Sequence, residues 1–261
     1  MRSRNIWQIQ TAVLYALFIR EIQTRFGNFR LGIFWAFLEP ISHILVLTIL
    51  FTLLRGRDGF YGIPFALFFA AGVISFFIFQ KTVLNSISSI KVNMGLFAYR
   101  QVKPLDTIIV RAFLELFVLI TVAVFLIWLG SWVFGFEAFP DNLLKALTII
   151  LLIFILALGT SFCTAVIGVK YPESSQLIGM LMRPLYFTSG VFFPLEFIPQ
   201  NLHVYLLWNP MLHGLEQFRS ACFNTYPSYS TSLIYLSAWS ITVFLLGLAY
   251  YRKNRINVLT S

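Results

Sequence analysis

Residues 143–169 have the sequence LLKALTIILLIFILALGTSFCTAVIGV, in which Lys145 is the only charged residue. A transmembrane helix needs about 20 predominantly apolar residues. A strand of a membrane β-barrel instead alternates in polarity over segments of about ten residues. Every backbone N–H and C=O group inside a bilayer must be hydrogen-bonded within the protein. The run is too long for a barrel strand and predicts a membrane-spanning helix.

The whole chain shares this apolar character. Of its 261 residues, 59% are hydrophobic and 11% are charged, and the mean hydropathy is +0.82. Soluble domains carry about 25% charged residues, so this chain has too little polar surface for a water-soluble globule. We expect an all-α, polytopic membrane protein.

The net charge of +9 has its origin in loops and tails between the apolar runs. That distribution points to membrane topology, and we expect no nucleic-acid partner. Cys163 and Cys222 lie in different regions, so no disulfide framework or metal site follows from them. The short apolar stretch Ala12–Ile19 lacks a small-residue cleavage pattern, so we expect no cleaved signal peptide.

The hydropathy pattern predicts six spans within a single transmembrane domain, 1–261, that has no internal repeat. The predicted spans are Phe34–Leu54, Ile63–Phe79, Ile108–Phe134, Leu143–Val169, Leu177–Phe193 and Ser232–Tyr251. The second and fifth are short. The fifth contains Arg183 and Pro184 and has Ser189 and Gly190 near its end, which is typical of a broken or re-entrant helix shielded by protein.

The distribution of Lys and Arg predicts the orientation. The segments on the side of the two termini contain thirteen of these residues, and the opposite loops contain four. Cytoplasmic segments carry the excess of positive charge. We therefore expect both termini in the cytoplasm.

Residues 1–33 precede the first span. Ile6, Ile9, Val13 and Leu17 follow helical spacing, which predicts an amphipathic helix that lies in the membrane interface. A simple anchor is the alternative.

Two further segments lie outside the predicted spans. Residues 80–106 form the longest internal cytoplasmic loop, which is suited to contact with a cytosolic partner; an ordinary solvated loop is the alternative. In residues 194–229, the apolar stripe from Met211 through Leu215 to Cys222 predicts a surface helix on the outer leaflet. A helix packed against the bundle is the alternative there.

Polar residues at membrane depth are costly and often functional. Glu39 and His43 share one face of the first span and are flanked by Trp35 and Phe37. They predict a polar gate on a substrate path. The alternative is that Glu39 caps a helix that begins at Pro40, although such a helix would be short for a span.

Arg111 and Glu115 lie one helical turn apart in the third span and are expected to pair with each other. The sequence contains no phosphate-binding loop, H-E-x-x-H motif or C-x-x-C motif. His43, His203 and His213 are scattered. We therefore assign no catalytic, cofactor-binding or metal-binding residue.

Three stretches resemble the permeases of polysaccharide ABC exporters, and they occur in the order found in that family between about residues 20 and 255. The stretches are Arg20-Glu21-Ile22-Gln23-Thr24-Arg25-Phe26-Gly27 with Arg30-Leu31-Gly32 and Phe34-Trp35-Ala36-Phe37-Leu38-Glu39-Pro40; Leu185-Tyr186-Phe187-Thr188-Ser189-Gly190-Val191-Phe192-Phe193-Pro194 with Pro199; and Asn209-Pro210-Met211-Leu212-His213-Gly214-Leu215-Glu216-Gln217-Phe218-Arg219.

Within that family the chain looks most similar to capsule exporters, and O-antigen and teichoic-acid permeases are also similar. The resemblance implies a homodimer with a separate ABC ATPase that binds ATP and Mg²⁺. It implies that the chain lies in a bacterial inner membrane and that its substrate is a lipid-linked polysaccharide, moved from the cytoplasm to the periplasm. It further implies a periplasmic co-polymerase-type protein and an outer-membrane channel as partners.

Two sets of residues are predicted to carry this function. Aromatic residues make up 18% of the chain, and their ring faces can stack on sugars. The substrate-path candidates are Trp35, Phe37, Glu39, His43, Arg183 and Tyr186. The ATPase-coupling candidates are Arg20, Arg25, Asn85, Ser89, Lys91 and Asn93.

Two other classes of protein compete with this interpretation. A secondary transporter would often show inverted repeats, and none is detected. An integral-membrane enzyme would need a cluster of carboxylates or histidines at one interface, and the acidic residues are dispersed along the chain.

Overall fold

The computed structural model describes residues 5–27, 32–56, 59–228 and 230–260. Arg30 and Leu31, which belong to the first family-like stretch, lie outside the described residues, as do residues 1–4 of the predicted interfacial segment. Throughout the described ranges the regular secondary structure is helical and contains no β-strand. The all-α prediction is confirmed.

Ten α-helices are seen in the described residues. They are α1 (Ile6–Phe26), α2 (Gly32–Arg55), α3 (Phe65–Ser86), α4 (Ser89–Val92), α5 (Pro104–Val133), α6 (Leu143–Lys170), α7 (Ser174–Thr188), α8 (Gln200–Leu206), α9 (Pro210–Cys222) and α10 (Leu233–Thr260). Short 3₁₀ segments cover Met94–Ala98 and Leu195–Phe197.

Helices α3 and α6 form the centre of the bundle. In their most apolar stretches 72% and 67% of the residues are buried, against 22% in α2, 28% in α5 and 17% in α10. α3 contacts α2, α5, α6, α7 and α9, whereas α10 packs mainly on α6 and α9. The outer helices therefore present large apolar faces, as expected for a protein in a bilayer.

The packing of α6 against α10 depends on two glycines. A Cβ atom at Gly159 would overlap the backbone of Phe244, and one at Gly247 would overlap the backbone of Gly159. In a bilayer no hydrophobic driving force brings helices together, so their association depends on close van der Waals packing. Small residues allow the helices to approach closely enough for that packing. This contact therefore fixes α10 directly on the buried core.

Two interhelical hydrogen bonds join α3 to α6 at one end of the bundle. Ser86 Oγ and Thr164 Oγ1 are 2.9 Å apart, and Ser161 Oγ donates to the Thr82 carbonyl at 3.2 Å. We call this the α1 end, because α1 lies there, and the opposite end the far end. Such bonds stabilise membrane helices by about 1 kcal/mol or less each.

The direction of the helices shows how the fifth predicted span is built. Residues 159 and 170 of α6 face residues 244 and 254 of α10, so these two helices run in the same direction. The chain between them must return to the far end, and α7 makes the first part of that return. α7 has 15 residues and ends before Gly190, whose φ of +73° is open to glycine without strain.

The predicted count of six membrane spans is not confirmed. Five helices of the described residues are long and apolar enough to span a bilayer: α2, α3, α5, α6 and α10. α7 contains Pro184 and ends at Thr188, so the predicted span Leu177–Phe193 is interrupted as expected. The return toward the far end is completed by irregular chain after the break.

The structure corrects two predicted boundaries. α2 continues through Pro40, so the alternative in which Glu39 caps a helix starting at Pro40 is wrong. α3 continues to Ser86, seven residues beyond the predicted end at Phe79. Polar residues in this last part of α3 have partners on α2 and α5, which allows the helix to continue; consequently Asn85 is helical and does not lie in a loop.

Helix α1 has the predicted apolar stripe. Val13 and Leu17 are buried against Val110 of α5, and Ile9 packs on the same cluster. Gln10, which interrupts the stripe in the sequence, donates a 2.8 Å hydrogen bond to Asp106 at the start of α5. The position of α1 in the membrane interface remains a prediction.

Helix α9 is not the predicted surface helix. Met211, Leu215 and Cys222 are buried, and so are Glu216 and Arg219 beside them. The helix packs against α3, α6 and α10. The alternative, a helix packed against the bundle, is confirmed. The charged side chains of this helix can be buried because they have partners inside the fold.

Candidate functional site

The first part of the candidate site is a polar contact between α2 and α3. Glu39 is exposed, and its Oε2 accepts a 2.7 Å hydrogen bond from Lys81 Nζ. The Lys81 ammonium also lies 5.3 Å from the centre of the Phe77 ring, which adds a cation–π contact. Sequence reasoning counted Lys81 only as a loop charge, because it ended the span at Phe79.

The second part is a contact between α2 and α7. His43 Nε2 and the Tyr186 hydroxyl are 2.7 Å apart and hydrogen-bonded. The Tyr186 ring lies edge-on to Phe76, with centroids 4.9 Å apart, and His43 packs on Phe77 at 5.5 Å. The structure therefore brings together two predicted path residues that are separated by 143 positions in the chain.

The other predicted path residues lie on the same two helices, α2 and α7, but do not all face this contact. Trp35 is 58% exposed, and Phe37 packs edge-on against Phe125 at 6.5 Å. Arg183 is exposed and forms no hydrogen bond or ion pair with any residue that the structure describes. The structure does not bring Arg183 into contact with Glu39.

A buried arginine holds the break after α7, and sequence reasoning missed it. Arg219 is 0% exposed and donates to the carbonyls of Gly190 at 2.6 Å and Val191 at 2.9 Å. Its guanidinium carbon lies 3.7 Å from the centre of the Phe68 ring. A Cβ atom at Gly72 would overlap the guanidinium. The glycine leaves space on α3 for a cation that anchors the irregular chain.

Arg219 is part of a larger buried polar cluster. Its Nη1 lies 3.5 Å from Glu216 Oε1, which also accepts a 2.8 Å bond from the Tyr226 hydroxyl. Burial raises the pKa of Glu216, and the Arg219 charge opposes that rise. The Tyr61 hydroxyl donates to Glu196 at 2.6 Å nearby. The cluster ties the segment after α7 to α9 and to the α2–α3 connection.

His213 fixes the junction between α8, α9 and α10. Its Nε2–H donates to the Leu207 carbonyl at 2.9 Å, and its Nδ1 accepts from the Ser232 N–H at 2.9 Å. The ring packs on Tyr235 with centroids 4.5 Å apart. Burial lowers the pKa of His213, partly offset by the Leu207 bond, and the neutral ring with its proton on Nε2 satisfies both bonds.

The predicted coupling residues lie in a polar network at the α1 end. Arg25 of α1 pairs with Glu115 of α5, and Asn85 Nδ2 donates to the same carboxylate at 2.6 Å. Arg20 Nη1 donates to Asn93 Oδ1 at 2.8 Å. These contacts hold α1 against both the end of α3 and the segment that follows it.

The expected pair between Arg111 and Glu115 does not form. Arg111 Nε instead lies 2.6 Å from Glu21 Oε1 of α1, and its Nη1 donates to the Asn85 carbonyl at 3.0 Å. Glu115 forms its ion pair with Arg25 of α1. Contacts with other elements outcompete the local pair because α1 brings opposite charges to both residues.

The remaining coupling candidates differ in accessibility. Ser89 and Asn93 are buried, and Asn93 Nδ2 donates to the Ser89 carbonyl at 2.8 Å. Lys91 is exposed on α4. Lys91 is therefore available to a partner, whereas Ser89 and Asn93 shape the segment that presents it.

The site contains no arrangement typical of a metal centre. Within the described ranges, no three His, Cys, Asp or Glu side chains are grouped to hold a metal ion. The arrangement comprises a hydrogen bond between α2 and α7, an anchored break in the chain, and a polar network that connects α1 to the bundle.

Comparison with known proteins gives a consistent result. The family described as ABC-2 type transporter matches residues 12–223. The chain is 40% identical over 259 residues to the polysialic acid transport protein KpsM of Escherichia coli, covering 99% of this chain and 100% of that protein. It is 30% identical over 244 residues to the capsule polysaccharide export inner-membrane protein CtrC of Neisseria meningitidis serogroup A, covering 92% and 90%. It is 28% identical over 252 residues to the capsule polysaccharide export inner-membrane protein BexB of Haemophilus influenzae, covering 94% and 92%.

Proposed function

The chain belongs to the ABC-2 type transporter family, and from that premise we propose that it is the permease subunit of an ATP-driven exporter of capsular polysaccharide. The observation that carries the proposal is the 40% identity to a polysialic acid transport protein along the full length of both chains. Two further relatives carry names that specify capsule polysaccharide export. The substrate that we propose is a lipid-linked glycan moved from the cytoplasm to the periplasm.

The work for transport comes, in this proposal, from a separate ABC ATPase that binds ATP and Mg²⁺. The chain has no phosphate-binding loop of its own. Exposed Lys91 is the proposed contact residue, supported by buried Ser89 and Asn93. α1 follows any displacement there because Arg20 bonds Asn93 and Arg25 shares Glu115 with Asn85.

The proposed orientation places the α1 end in the cytoplasm. α1 lies at this end, and α10 runs toward it beside α6. The excess of Lys and Arg that the sequence predicts on the side of the two termini, thirteen against four, supports the assignment. A single cysteine at exposed position 95 is expected to resist a membrane-impermeant thiol reagent in intact cells, and one at exposed position 225 is expected to react. The opposite labelling pattern would invert the proposed topology.

The proposed substrate path runs between two copies of this chain. α2 and α7 carry the exposed groups Trp35, Glu39 and Arg183, and the two helices are joined by the bond between His43 and Tyr186. Facing pairs of α2 and α7 in a homodimer would surround the path with aromatic rings and a few charges. Unpaired Arg183 suits an anionic glycan, because opposite charge lowers the cost of placing the cation away from water.

A periplasmic co-polymerase-type protein and an outer-membrane channel complete the proposed system. They are needed because a permease in the inner membrane delivers its glycan only as far as the periplasm. Their contact surface on this chain would lie at the far end, where Arg219 holds the chain after α7 at Gly190 and Val191.

The direct test is genetic complementation followed by vesicle transport. Cells that lack the chain are expected to lose surface polysaccharide and to retain it inside, and a plasmid copy is expected to restore export. The chain purified with a candidate ABC ATPase should move lipid-linked glycan into inverted vesicles only with hydrolysable ATP. Glycan movement without an ATPase partner would instead assign the chain to the secondary transporters.

A further inference from the structure

Four charged side chains lie between the C-terminal half of α1 and α5. Glu21 and Arg25 are one helical turn apart on α1, and Arg111 and Glu115 are one turn apart on α5. Arg111 Nε lies 2.6 Å from Glu21 Oε1, and Arg25 forms an ion pair with Glu115. Each helix therefore contributes one acid and one base, and both ion pairs cross from one helix to the other. We call these four residues the α1–α5 latch.

The latch is partly withdrawn from water. The exposed fraction of the side chain is 1% for Glu115, 12% for Arg111, 16% for Glu21 and 30% for Arg25. A buried charge that loses its partner without gaining another strongly destabilises a protein. The C-terminal half of α1 can therefore leave α5 only if the four charges find other partners.

Such partners lie on each helix itself. Side chains at positions i and i+4 of a helix are neighbours on its surface, so Glu21 can pair with Arg25, and Arg111 can pair with Glu115. In both arrangements two acids are matched with two bases, and no charge is left without a partner. The exchange replaces two ion pairs between the helices by two ion pairs within them.

Two buried atoms of the latch lack a hydrogen bond in the observed arrangement. Among the described residues, Glu115 Oε2 has no hydrogen-bond partner, and the contact of Arg111 Nε with Glu21 lacks hydrogen-bond geometry. Buried polar atoms are normally hydrogen-bonded, so such exceptions need an explanation. The acceptor and the donor belong to residues one turn apart, so the pairing within α5 would let these two side chains bond to each other.

Helix α3 holds Arg111 and Glu115 in place for this exchange. The Asn85 amide donates to Glu115 Oε1 at 2.6 Å, and the Asn85 carbonyl accepts from Arg111 Nη1 at 3.0 Å. Neither contact involves α1. Both side chains would therefore stay beside the same residue when α1 leaves, which keeps them close enough to pair.

The two halves of α1 are held differently. The N-terminal half packs in the apolar cluster around Val110, and among the described residues of α1 that cluster ends at Phe18. Beyond Phe18, α1 is joined to the bundle through polar side chains: Arg20 donates to Asn93, and the latch holds residues 21 and 25. Separation destroys apolar packing outright, whereas ion pairs can be exchanged. The C-terminal half is therefore the part of α1 that can move while the N-terminal half stays.

We propose that the latch exchanges its ion pairs during transport, so that the C-terminal half of α1 is coupled to the bundle in one state and released in the other. Glu21, Arg111 and Glu115 are then positioning residues, in addition to Arg25. With the latch closed, α1 moves together with the ends of α3 and α5; with the latch open, those ends move without it. The two pairings rest on the structure alone, and only their use in transport rests on the function proposed above.

The test exchanges the charges in the purified full chain in phospholipid nanodiscs. Glu21→Arg with Arg25→Glu places like charges opposite each other across the helices but keeps both pairs within the helices attractive. This α1 swap should therefore open the latch. Further addition of Arg111→Glu and Glu115→Arg makes all four pairs attractive again, so the fourfold swap should close it.

Spin labels at exposed positions 23 of α1 and 171 after α6 report the position of α1 relative to the bundle in a cysteine-free chain. The labelled chain is diluted with unlabelled chain so that only distances within one copy are measured. The α1 swap is expected to change the mean distance by about 5 Å, one helical turn, and the fourfold swap to restore the wild-type value. A wild-type distance in the α1 swap would show that these ion pairs do not hold α1.

Thermal unfolding distinguishes an exchange from two static ion pairs. Arg25→Glu alone leaves like charges together in both arrangements, so it should lower Tm by more than the α1 swap, which contains the same change and one more. Two static ion pairs predict the opposite order, because the α1 swap reverses both of them. An α1 swap that is less stable than Arg25→Glu, or that does not fold, would overturn the proposal.

The role in transport is tested by a variant that holds the latch closed. Glu21→Arg with Arg111→Glu keeps both pairs between the helices attractive but makes both pairs within them repulsive. We expect the wild-type distance and a severalfold loss of surface polysaccharide in cells. The fourfold swap carries the same Arg111→Glu change, with the same loss of bonds to Asn85 and Ser88, and should export severalfold more.

Equal export by these two variants would show that the exchange is not used in transport. A wild-type chain that exports no polysaccharide would instead contradict the function proposed above. The distances and Tm values of the purified chain would still decide whether the latch exchanges its ion pairs.

Discussion

Replacement of Arg219 by Met should release the irregular chain after α7. The change keeps much of the side-chain volume but removes the donors to the carbonyls of Gly190 and Val191 and the charge beside Glu216. Loss of one partner from a buried ion pair costs about 3–5 kcal/mol, because the remaining charge stays uncompensated. Each hydrogen bond from a charged donor contributes about 1.5–3 kcal/mol. We expect a net destabilisation of about 4 kcal/mol.

The measurement is thermal unfolding of the purified protein in detergent, together with surface polysaccharide in cells. A change of about 4 kcal/mol corresponds to a fall in Tm of about 10 °C for a chain of this size. Arg55→Met is the matched control, because Arg55 lies exposed at the same end over the rings of Phe60 and Phe193. An exposed cation–π contact contributes about 0.5–1 kcal/mol, so this control should lower Tm by only a few degrees.

A second variant separates the loss of the ion pair from general disruption. Arg219→Met combined with Glu216→Gln removes the stranded carboxylate and should recover part of the lost stability. Arg219→Lys keeps the charge but lacks the planar fork that reaches two carbonyls, so it should fall between wild type and Met. Normal Tm and normal export in Arg219→Met would refute the role assigned to this arginine.

Three other predictions follow from the structure. Glu39→Gln removes the charge that faces Lys81, and if Glu39 acts on the path it should reduce surface polysaccharide without changing the amount of protein; normal export would leave Glu39 with a surface role only. Gly159→Leu forces the side chain into the backbone of Phe244 and should lower Tm by several degrees, whereas an unchanged Tm would contradict the close contact of α6 and α10. The pKa of His213 is lowered in the folded state, so the neutral ring contributes stability above the ordinary pKa of about 6.5, and this contribution is lost as the pH falls below that value. Tm measured from pH 8 to pH 5 should therefore fall more steeply in wild type than in His213→Asn. Parallel curves for the two proteins would contradict this.

Local patterns in the sequence were sufficient for the long helices. An apolar run such as 143–169 can satisfy its backbone only within itself, so its helix follows without knowledge of the rest of the fold. Length also decided in favour of α2 continuing through Pro40, since the residues after the proline are too few for a span. The interruption near Gly190 was likewise visible, because glycine and proline mark such breaks locally.

The partners of the charged residues could not be predicted in the same way. Arg111 and Glu115 are one turn apart, so their spacing in the sequence predicted that they pair with each other. In the structure each pairs with an α1 residue that is 90 positions away. Lys81 was assigned to a loop because the apolar run stops at Phe79, although hydrogen bonds to other helices carry α3 further. Such partners depend on which helices meet, and hydropathy does not contain that information.

The sequence by itself determined that this chain is a helical membrane protein, where its long spans lie, and which family its motifs resemble. These properties depend on the local match between apolar length and bilayer thickness and on short runs of residue types. Only the tertiary structure decided that His43 meets Tyr186, that Arg219 is buried as an anchor, and that Glu115 pairs with Arg25 of α1. These features arise because helices distant in the sequence pack side by side, and the free energy of burying a charge or leaving a space is set by all the neighbours together.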